Sequence, residues 1–303
     1  MHPPSPALAA FREARVEYAD VENGRIAFRR FGSGPPLVMV HGWPVSGATY
    51  RHILPALARE YSCIVVDLLG TGSSEWTDKF TFTFAEHAQS VRAVVDALGL
   101  ESYALLGQDT GATAARLLAA SDRRVRALVM ANTEIPKHRP PYVPLYVHIA
   151  KSRALWSNVR LTMRVPFLRR SALGLGGCFA DLSHLDGEFH DLFVSILLEP
   201  GRAGDGQRRY LAGIDWNVVD ALPATHAQIQ VPVLLIWGAD DPTFPLALAK
   251  KMSTQFPALA GVRVIEGARL LVHEERPEAF AKHALEFLKT LPTSNVSEAK
   301  SIN

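Results

Sequence analysis

The sequence predicts an α/β fold built on a mostly parallel, doubly wound sheet with an inserted helical cap. Short, continuous apolar runs recur along the chain, as in strands that are buried on both faces. Segments with apolar residues at helical spacing separate these runs, which is typical of a parallel sheet. One long segment breaks the alternation, and this break indicates an insertion between two core strands.

Each element follows from a local pattern. Residues 14–31 alternate loosely around Asn23-Gly24, a pair that favours a hairpin. The apolar runs that we expect to form buried strands are residues 37–40, 63–66, 104–106, 127–130, 233–237 and 262–265. The clearest helical segments are residues 84–98, 112–120 and 277–291.

The insertion is predicted to run from about Lys137 to about Asp220. It carries prolines at positions 140, 141, 144 and 166, scattered aromatic and basic residues, and no clean buried-strand run. We expect it to form a cap above the carboxyl ends of the strands, where open α/β sheets bind ligands. The predicted division is a first core part (14–136), the helical cap (137–220), a second core part (221–292) and a flexible polar tail (293–303).

Composition excludes several classes of protein. The 303 residues carry 32 Lys and Arg against 30 Asp and Glu, and 48% are apolar, which argues against disorder and against a nucleic-acid partner. No apolar run is long enough for a membrane span, and the first residues do not resemble a signal peptide. Two cysteines, Cys63 and Cys178, provide neither a disulfide scaffold nor a zinc site. We expect a cytoplasmic enzyme with no metal and no cofactor. Its oligomeric state is left open, with a homodimer as one alternative.

The strongest chemical signal is Gly107-Gln108-Asp109-Thr110-Gly111, which stands between a buried strand and a helix of small residues. This is the pattern of a nucleophile elbow, with Asp where Ser usually stands. The sharp turn strains its central residue, and side chains two positions away would collide with the neighbouring strand and helix. We therefore predict Asp109 as the nucleophile. An ordinary tight turn is the alternative, because Gly and Asp are common in turns.

The loop His41-Gly42-Trp43-Pro44 follows the strand over residues 37–40 and is expected to lie beside the elbow. The backbone N–H groups of Trp43 and Thr110 would then form an oxyanion hole. The segment Asp67 to Ser74, which follows the next strand, is interpreted as structural.

The ordered motifs HGWP, DLLGTGSS, GQDTG and WGADDP resemble the α/β-hydrolase superfamily. They are most similar to its Asp-nucleophile branch, which contains epoxide hydrolases and haloalkane and fluoroacetate dehalogenases. The resemblance covers roughly residues 14–292. It implies that Asp241, the last residue of G-x-x-D, is the triad acid. Asp240 is a less favoured substitute, and a turn or helix N-cap is the structural alternative.

The resemblance also implies a mechanism of two steps. Asp109 attacks an electrophilic carbon and forms a covalent ester. A water activated by a histidine then attacks the ester carbonyl, while the oxyanion hole stabilises the developing charge. A carboxylate is a weak nucleophile, so the first step needs a strained epoxide or a carbon that bears a halide.

The histidine of this mechanism is missing from its usual place. The family usually reads G-x-x-H-x-x-x-E-E-x-P, and counting back from Glu274-Glu275 and Pro277 places the expected histidine at Leu270. Three explanations are open. Leu270 is a natural or engineered substitution that removes the base, or the loop differs locally so that His273 reaches the site. In the third, the protein is a degenerate member of the family with another role. His273 is therefore the candidate third catalytic residue.

The donors for the leaving group guide the choice of substrate. Epoxide hydrolases protonate the opening ring with cap tyrosines, and Tyr142, Tyr146 and Tyr210 are the candidates here. The expected function is therefore epoxide hydrolase-like, on a small hydrophobic substrate.

Two dehalogenase patterns are the alternatives to an epoxide hydrolase. Haloalkane dehalogenases hold the halide with a Trp after the nucleophile and an Asn in HGNP, where this chain has Thr110 and Trp43. Trp43, Trp156 and Trp216 remain as candidate indole donors. Fluoroacetate dehalogenases carry an Arg at the positions of Thr110 and Thr113, so their carboxylate clamp is missing. The alternatives are a haloalkane dehalogenase-like hydrolase and a catalytically impaired relative that binds a small hydrophobic ligand.

Overall fold

The computed structural model describes residues 4–292 of the chain. Within them lies one nine-stranded sheet with helices packed against it. The strands are β1 (Glu17–Val21), β2 (Gly24–Phe31), β3 (Pro36–Val40), β4 (Ser62–Asp67), β5 (Glu75–Trp76), β6 (Tyr103–Gln108), β7 (Val125–Ala131), β8 (Val233–Gly238) and β9 (Leu259–Ile265).

The order of the strands brings several loops to one edge of the sheet. The order is β1-β2-β4-β3-β6-β7-β8-β9, and β5 pairs with β2. β1, β2 and β4 pair in antiparallel register, whereas every pair from β4 to β9 is parallel. The carboxyl ends of β3, β6, β7 and β8 therefore meet at the same edge, and the predicted mostly parallel sheet is confirmed.

The central strands are buried, as their apolar runs predict. Every residue of β6 and of β8 is buried, and so are four of the five residues of β3. β9 lies at the edge of the sheet and is mostly exposed or half-buried. The predicted hairpin is also present, because β1 and β2 pair up to Val21 and Gly24 across a tight turn.

The helices include the three segments that the sequence predicts. Thr83 begins the long helix after β5, since its hydroxyl accepts a hydrogen bond from the N–H of Glu86, and the helix ends before Gly99 in the left-handed region. The helices are α1 (Pro6–Glu13), α2 (Leu54–Leu57), α3 (Phe84–Ala97), α4 (Asp109–Ser121), α5 (Val143–Ala150), α6 (Arg153–Arg164), α7 (Pro166–Arg169), α8 (Gly187–Phe189), α9 (Ser195–Leu198), α10 (Arg202–Ala212), α11 (Trp216–Gln228), α12 (Leu246–Ser253), α13 (Val272–Glu275) and α14 (Pro277–Leu288).

The N-terminal helix α1 was not predicted. Ser5 caps it, and Phe11 on its buried side stacks on Phe31 of β2 with ring centroids 5.6 Å apart. Ser5 also donates to Glu188 from the insertion. The chain ahead of residue 14 therefore contacts both the sheet and the insertion.

The insertion between β7 and β8 is helical. In the described residues it contains α5 to α11, two short 3-10 or π-helical segments at Leu182–Leu185 and His190–Val194, and no strand. Helix α11 runs through the predicted boundary at residue 220 and packs against α4 of the core. The division of the chain into core and cap at residues 137 and 220 therefore stays a prediction. The predicted tail, residues 293–303, lies outside the described residues.

None of the helices that the structure describes is long and apolar enough to cross a membrane.

Candidate active site

A cavity of about 920 Å³, open to solvent at its mouth, lies between the sheet and the insertion. Loops that follow β3, β6, β7 and β8 supply part of its wall. Residues of α5, α6 and the segments around them supply much of the rest. The core side chains that reach it include Trp43, Asp109, Thr110, Glu134 and Leu270. The insertion therefore covers the edge of the sheet where the sequence predicts the active site.

The nucleophile elbow has the strained geometry that its glycines predict. β6 ends at Gln108, and Asp109 begins α4 with φ of 50°, a left-handed conformation that is unfavourable for a side-chain-bearing residue. A Cβ on Gly111 would lie 2.1 Å from the carbonyl oxygen of His41. A Cβ on Gly107 would lie 2.6 Å from Cα of Ala112. Only glycine fits at either position, and the turn presents Asp109 to the cavity.

The predicted oxyanion donors point at the carboxylate of Asp109. The N–H of Trp43 donates to Oδ2 of Asp109 at 2.9 Å. The N–H of Thr110 donates to the same carboxylate. Both N–H groups therefore face the carboxylate of Asp109, as an oxyanion hole requires.

The environment of Asp109 favours its protonated form. Burial is the largest cause that raises the pKa of this carboxyl well above its ordinary value, and the nearby Glu134 carboxylate is the next. The N–H groups of Trp43 and Thr110 oppose the rise. Ionisation of the Asp109 carboxyl is therefore disfavoured in this buried position.

Asp241 lies after β8, and its carboxylate is held by three neighbours. Nδ2 of Asn132 donates to its Oδ2 at 2.6 Å, and the N–H of Thr243 donates to its Oδ1 at 2.8 Å. The N–H of Phe244 also donates to it. Burial raises the pKa of Asp241 to about 7, against the effect of these donors. Asp240, the substitute considered from the sequence, is exposed, so the geometry favours Asp241.

The structure does not bring His273 to the two aspartates, and this assignment is corrected. Its Nε2 lies 2.8 Å from Oγ1 of Thr49, whose own proton goes to Oε1 of Glu274 at 2.7 Å. The imidazole therefore donates from Nε2, and within residues 4–292 its Nδ1 has no partner. Neither ring nitrogen hydrogen-bonds to Asp241 or Asp109 in this part of the chain.

The physical reason lies in the short helix α13. His273 is inside it, and its ring packs against Tyr50 and Phe280 with centroids 5.3 and 5.9 Å away. Burial lowers the pKa of His273 to about 4, so the ring is neutral near pH 7. Leu270 precedes α13, lines the cavity and is 6% exposed. The expected histidine position therefore faces the site, and His273 faces the core.

The three candidate tyrosines have different surroundings. Tyr142 lines the cavity and is 44% exposed. Tyr146 also lines it, but its hydroxyl donates to the carbonyl oxygen of Leu173. Tyr210 is buried, its hydroxyl shares a hydrogen bond of 2.9 Å with that of Thr110, and it does not belong to the cavity wall. Tyr210 is therefore corrected from a leaving-group donor to a support for the residue after the nucleophile.

The tryptophan donors also differ. The indole N–H of Trp43 donates to the carbonyl oxygen of Gln207 at 3.0 Å and is therefore occupied. Trp156 lines the cavity and is 4% exposed, and its Nε1 has no hydrogen-bond partner within residues 4–292. Trp216 lines the cavity, with the guanidinium of Arg139 4.8 Å from its ring centre. Trp156 is thus a wall residue whose buried indole N–H has no partner in the described part of the chain.

Two polar residues after β7 were missed by the sequence analysis. Asn132 holds Asp241 and also accepts the N–H of Gly238 at 3.0 Å. Glu134 lines the cavity and is 3% exposed. Both follow a buried strand at its carboxyl end, and this position is the signal that would have found them.

No metal site accompanies these carboxylates in the part of the chain that the structure describes. Residues 4–292 contain no group of three or more His, Cys, Asp or Glu side chains that could hold a metal ion.

Comparison with known proteins agrees with the fold. The model of the alpha/beta hydrolase fold family matches residues 35–277, and the chain belongs to this family. Haloalkane dehalogenase 2 of Mycobacterium tuberculosis strain H37Rv is 28% identical over 287 residues, covering 93% of this chain and 97% of the relative. A soluble epoxide hydrolase of Corynebacterium sp. strain C12 is 36% identical over 287 residues, covering 90% and 96%.

A crystal structure of a haloalkane dehalogenase from Bradyrhizobium elkani USDA94 shares the fold. The TM-score is 0.73 at 23% identity, and the match covers 92% of this chain and 98% of that one. The family match and these relatives together show that the protein is an α/β-hydrolase of the Asp-nucleophile branch.

Proposed function

We propose that the protein forms a covalent aspartyl ester between Asp109 and a small hydrophobic electrophile, and that it hydrolyses this ester poorly. One observation carries the proposal. Asp109 stands at the apex of a strained elbow, faces the cavity and receives the N–H groups of Trp43 and Thr110 on its carboxylate.

The first step uses only groups that are present. Oδ2 of Asp109 is held by Trp43, so the other oxygen, Oδ1, is the one that attacks the carbon of the substrate. A carbon–oxygen bond forms to Asp109 while the bond from that carbon to the epoxide oxygen or halide breaks. The leaving epoxide oxygen takes a proton from the hydroxyl of Tyr142, or the leaving halide departs as an anion, at the cap side of the cavity.

The second step lacks its base. Water must attack the ester carbonyl, whose oxygen would be Oδ2 and would already face the N–H of Trp43. The proton of that water needs an acceptor, and Leu270 provides none. We therefore expect the ester to accumulate.

An epoxide is the first substrate class, because two of the three predicted tyrosines, Tyr142 and Tyr146, line the cavity. The Corynebacterium relative, named as a soluble epoxide hydrolase, supports this choice. A haloalkane is the second candidate, favoured by the unpaired indole N–H of Trp156 and by the mycobacterial relative named as a haloalkane dehalogenase. A cytoplasmic location, the absence of a cofactor and the oligomeric state stay predictions.

The test is intact-protein mass spectrometry after incubation with a panel of epoxides and alkyl halides, followed by peptide mapping. We expect a mass gain on Asp109 that Asp109→Ala abolishes together with turnover. The control is Asp240→Ala, which removes an exposed carboxylate beside Asp241 and should label normally. A label on another residue, or unchanged turnover in Asp109→Ala, would overturn the proposal.

A further inference from the structure

Glu134 is a carboxylate in the cavity wall that the proposed chemistry does not use. Its Oε2 accepts the hydroxyls of Thr113 at 2.6 Å and Thr133 at 2.9 Å. Among residues 4–292, no donor hydrogen-bonds to its Oε1. The side chain is 3% exposed and opens onto the same cavity as Asp109. One carboxylate oxygen is therefore fixed by the protein, and the other is left for a ligand.

The buried carboxyl groups around the cavity outnumber the cations beside them in the described residues. Asp109, Glu134 and Asp241 are buried close together, and the cation that reaches them is Arg116, whose guanidinium lies 3.6 Å from Glu134. In the described residues the cavity wall contains no Lys, Arg or His. The position where the family pattern has an imidazole holds Leu270. A positive group supplied by a ligand would stabilise the ionised form of Glu134 and that of Asp109, which burial otherwise keeps protonated.

The rest of the wall fits an organic cation better than a metal ion. Aromatic ring faces attract ammonium groups, whereas a metal ion needs several oxygen, nitrogen or sulfur ligands. No metal-binding group of three such residues exists in residues 4–292. The aromatic side chains of the wall are Trp43, Tyr142, Tyr146, Trp156, Trp216 and Phe244.

A second observation points independently to a bound ligand. The buried Trp156 in this wall has an indole N–H without a partner in the described residues. A buried donor of this kind is costly unless something in the cavity accepts from it. The cavity wall thus contains an acceptor at Glu134 that no described residue uses, and one of its aromatic side chains, Trp156, carries a donor without a partner in residues 4–292.

We propose that the molecule bound in this cavity carries an organic cation, a protonated amine or quaternary ammonium group, which lies against Glu134 and the aromatic wall. This inference rests on the proposed function, because the electrophilic carbon of the same molecule would lie at Asp109. It narrows the substrate from a small hydrophobic electrophile to one with a positive charge.

The test compares two ligands of the same shape, benzyltrimethylammonium and its uncharged carbon isostere neopentylbenzene. Binding to the full chain is followed by the fluorescence of the tryptophans in the wall. We expect the cation to bind about tenfold more tightly, as a charge pair and cation–π contacts in a buried site allow. In Glu134→Gln the ratio should fall below about threefold, because the amide keeps the shape and loses the charge.

Two variants keep the test informative. Glu101→Gln removes one exposed carboxylate at the opposite end of β6 and should leave the ratio unchanged. Asp109→Asn serves if Glu134→Gln does not fold. It removes the charge of a second carboxyl group in the cavity wall and should also lower the ratio of the two affinities. Equal binding of the two ligands to the native protein, or a preference that survives in both site variants, would overturn the inference even if Asp109 is labelled by electrophiles. A preference for the cation without any labelling would support the inference and would overturn the covalent chemistry alone.

Discussion

The elbow at Asp109 and the loop after β9 match the family pattern to different degrees. The elbow keeps its strained aspartate, its close-packed glycines and its two N–H donors. The loop after β9 keeps the glutamates of its motif but carries Leu270 where the family pattern has histidine. Under the proposed function, the residues that would form an ester are all present, and the base that would hydrolyse it is not.

The loop after β9 nevertheless retains a structural role. Oε1 of Glu275 accepts the N–H of Ala180 at 2.6 Å, and Oε2 accepts that of Arg269 at 2.7 Å. Glu274 pairs with the buried Arg51 at 2.8 Å. These contacts join the insertion, the core and the loop itself. The contacts that position this loop are therefore present although Leu270 stands where the family pattern has a histidine.

Restoring the family pattern should have the largest effect on this comparison. Leu270→His places an imidazole in the cavity wall, where it can take the proton of the attacking water. Loss of a general base commonly costs about 10²–10⁴-fold, so turnover should rise by a similar factor and trapped ester should fall. The measurement is steady-state turnover together with the fraction of ester in the intact mass spectrum.

The matched control is Leu270→Gln, which adds a polar side chain of similar length without a base. It should leave the ester trapped. If Leu270→His and Leu270→Gln behave alike, the missing imidazole does not limit hydrolysis, and the contrast between the two loops loses its mechanistic meaning.

Much of the fold was predictable because it rests on patterns within short segments. The apolar runs of β3, β6 and β8 correspond to strands in which nearly every residue is buried. Boundaries in the insertion were less predictable, since α11 continues from the cap into contact with the core. Helix α1 was missed because its stability depends on distant partners, the stacking of Phe11 on Phe31 and the contact of Ser5 with Glu188.

The residues of the candidate site also fall into two groups: those that a local motif predicts, and those whose position depends on distant packing. The places of Asp109 and Asp241 at the carboxyl edge of the sheet were predictable, because Asp109 directly follows β6 and Asp241 lies three residues after β8, each within a recognisable motif. His273 was misassigned because helix α13 begins between it and Leu270. The helix turns the imidazole ring of His273 toward Thr49. Glu134 belongs to no motif, and its exposure to the cavity depends on the packing of the insertion over β7.

Removing His273 should affect the free energy of unfolding and leave the chemistry intact. The ring is fully buried, packs on Tyr50 and Phe280 and donates to Thr49. His273→Ala should lower the free energy of unfolding by about 2–3 kcal/mol, through lost packing and the loss of the hydrogen bond from Nε2 to the Thr49 hydroxyl. Denaturant titration measures this change, and the labelling rate of the folded fraction should stay within about twofold. A collapse of ester hydrolysis with unchanged stability would instead identify His273 as the base.

The smallest expected effect concerns the pH at which the nucleophile becomes active. Asp109 attacks only when ionised, and burial together with the Glu134 carboxylate raises its pKa, so labelling should be slow in acid and increase as the pH rises through that raised pKa. Asp241, whose pKa burial raises to about 7, lies close enough to titrate in concert with it, so the midpoint belongs to the coupled carboxylates. Glu134→Gln removes one negative charge beside Asp109, lowers its pKa and should move the profile of labelling rate to lower pH. Glu101→Gln makes the same change in net charge far from the cavity and should leave the midpoint in place. A midpoint that stays fixed in Glu134→Gln, or moves to higher pH, would show that Glu134 does not act on the ionised nucleophile, and would leave burial alone as the reason for its slow reaction in acid.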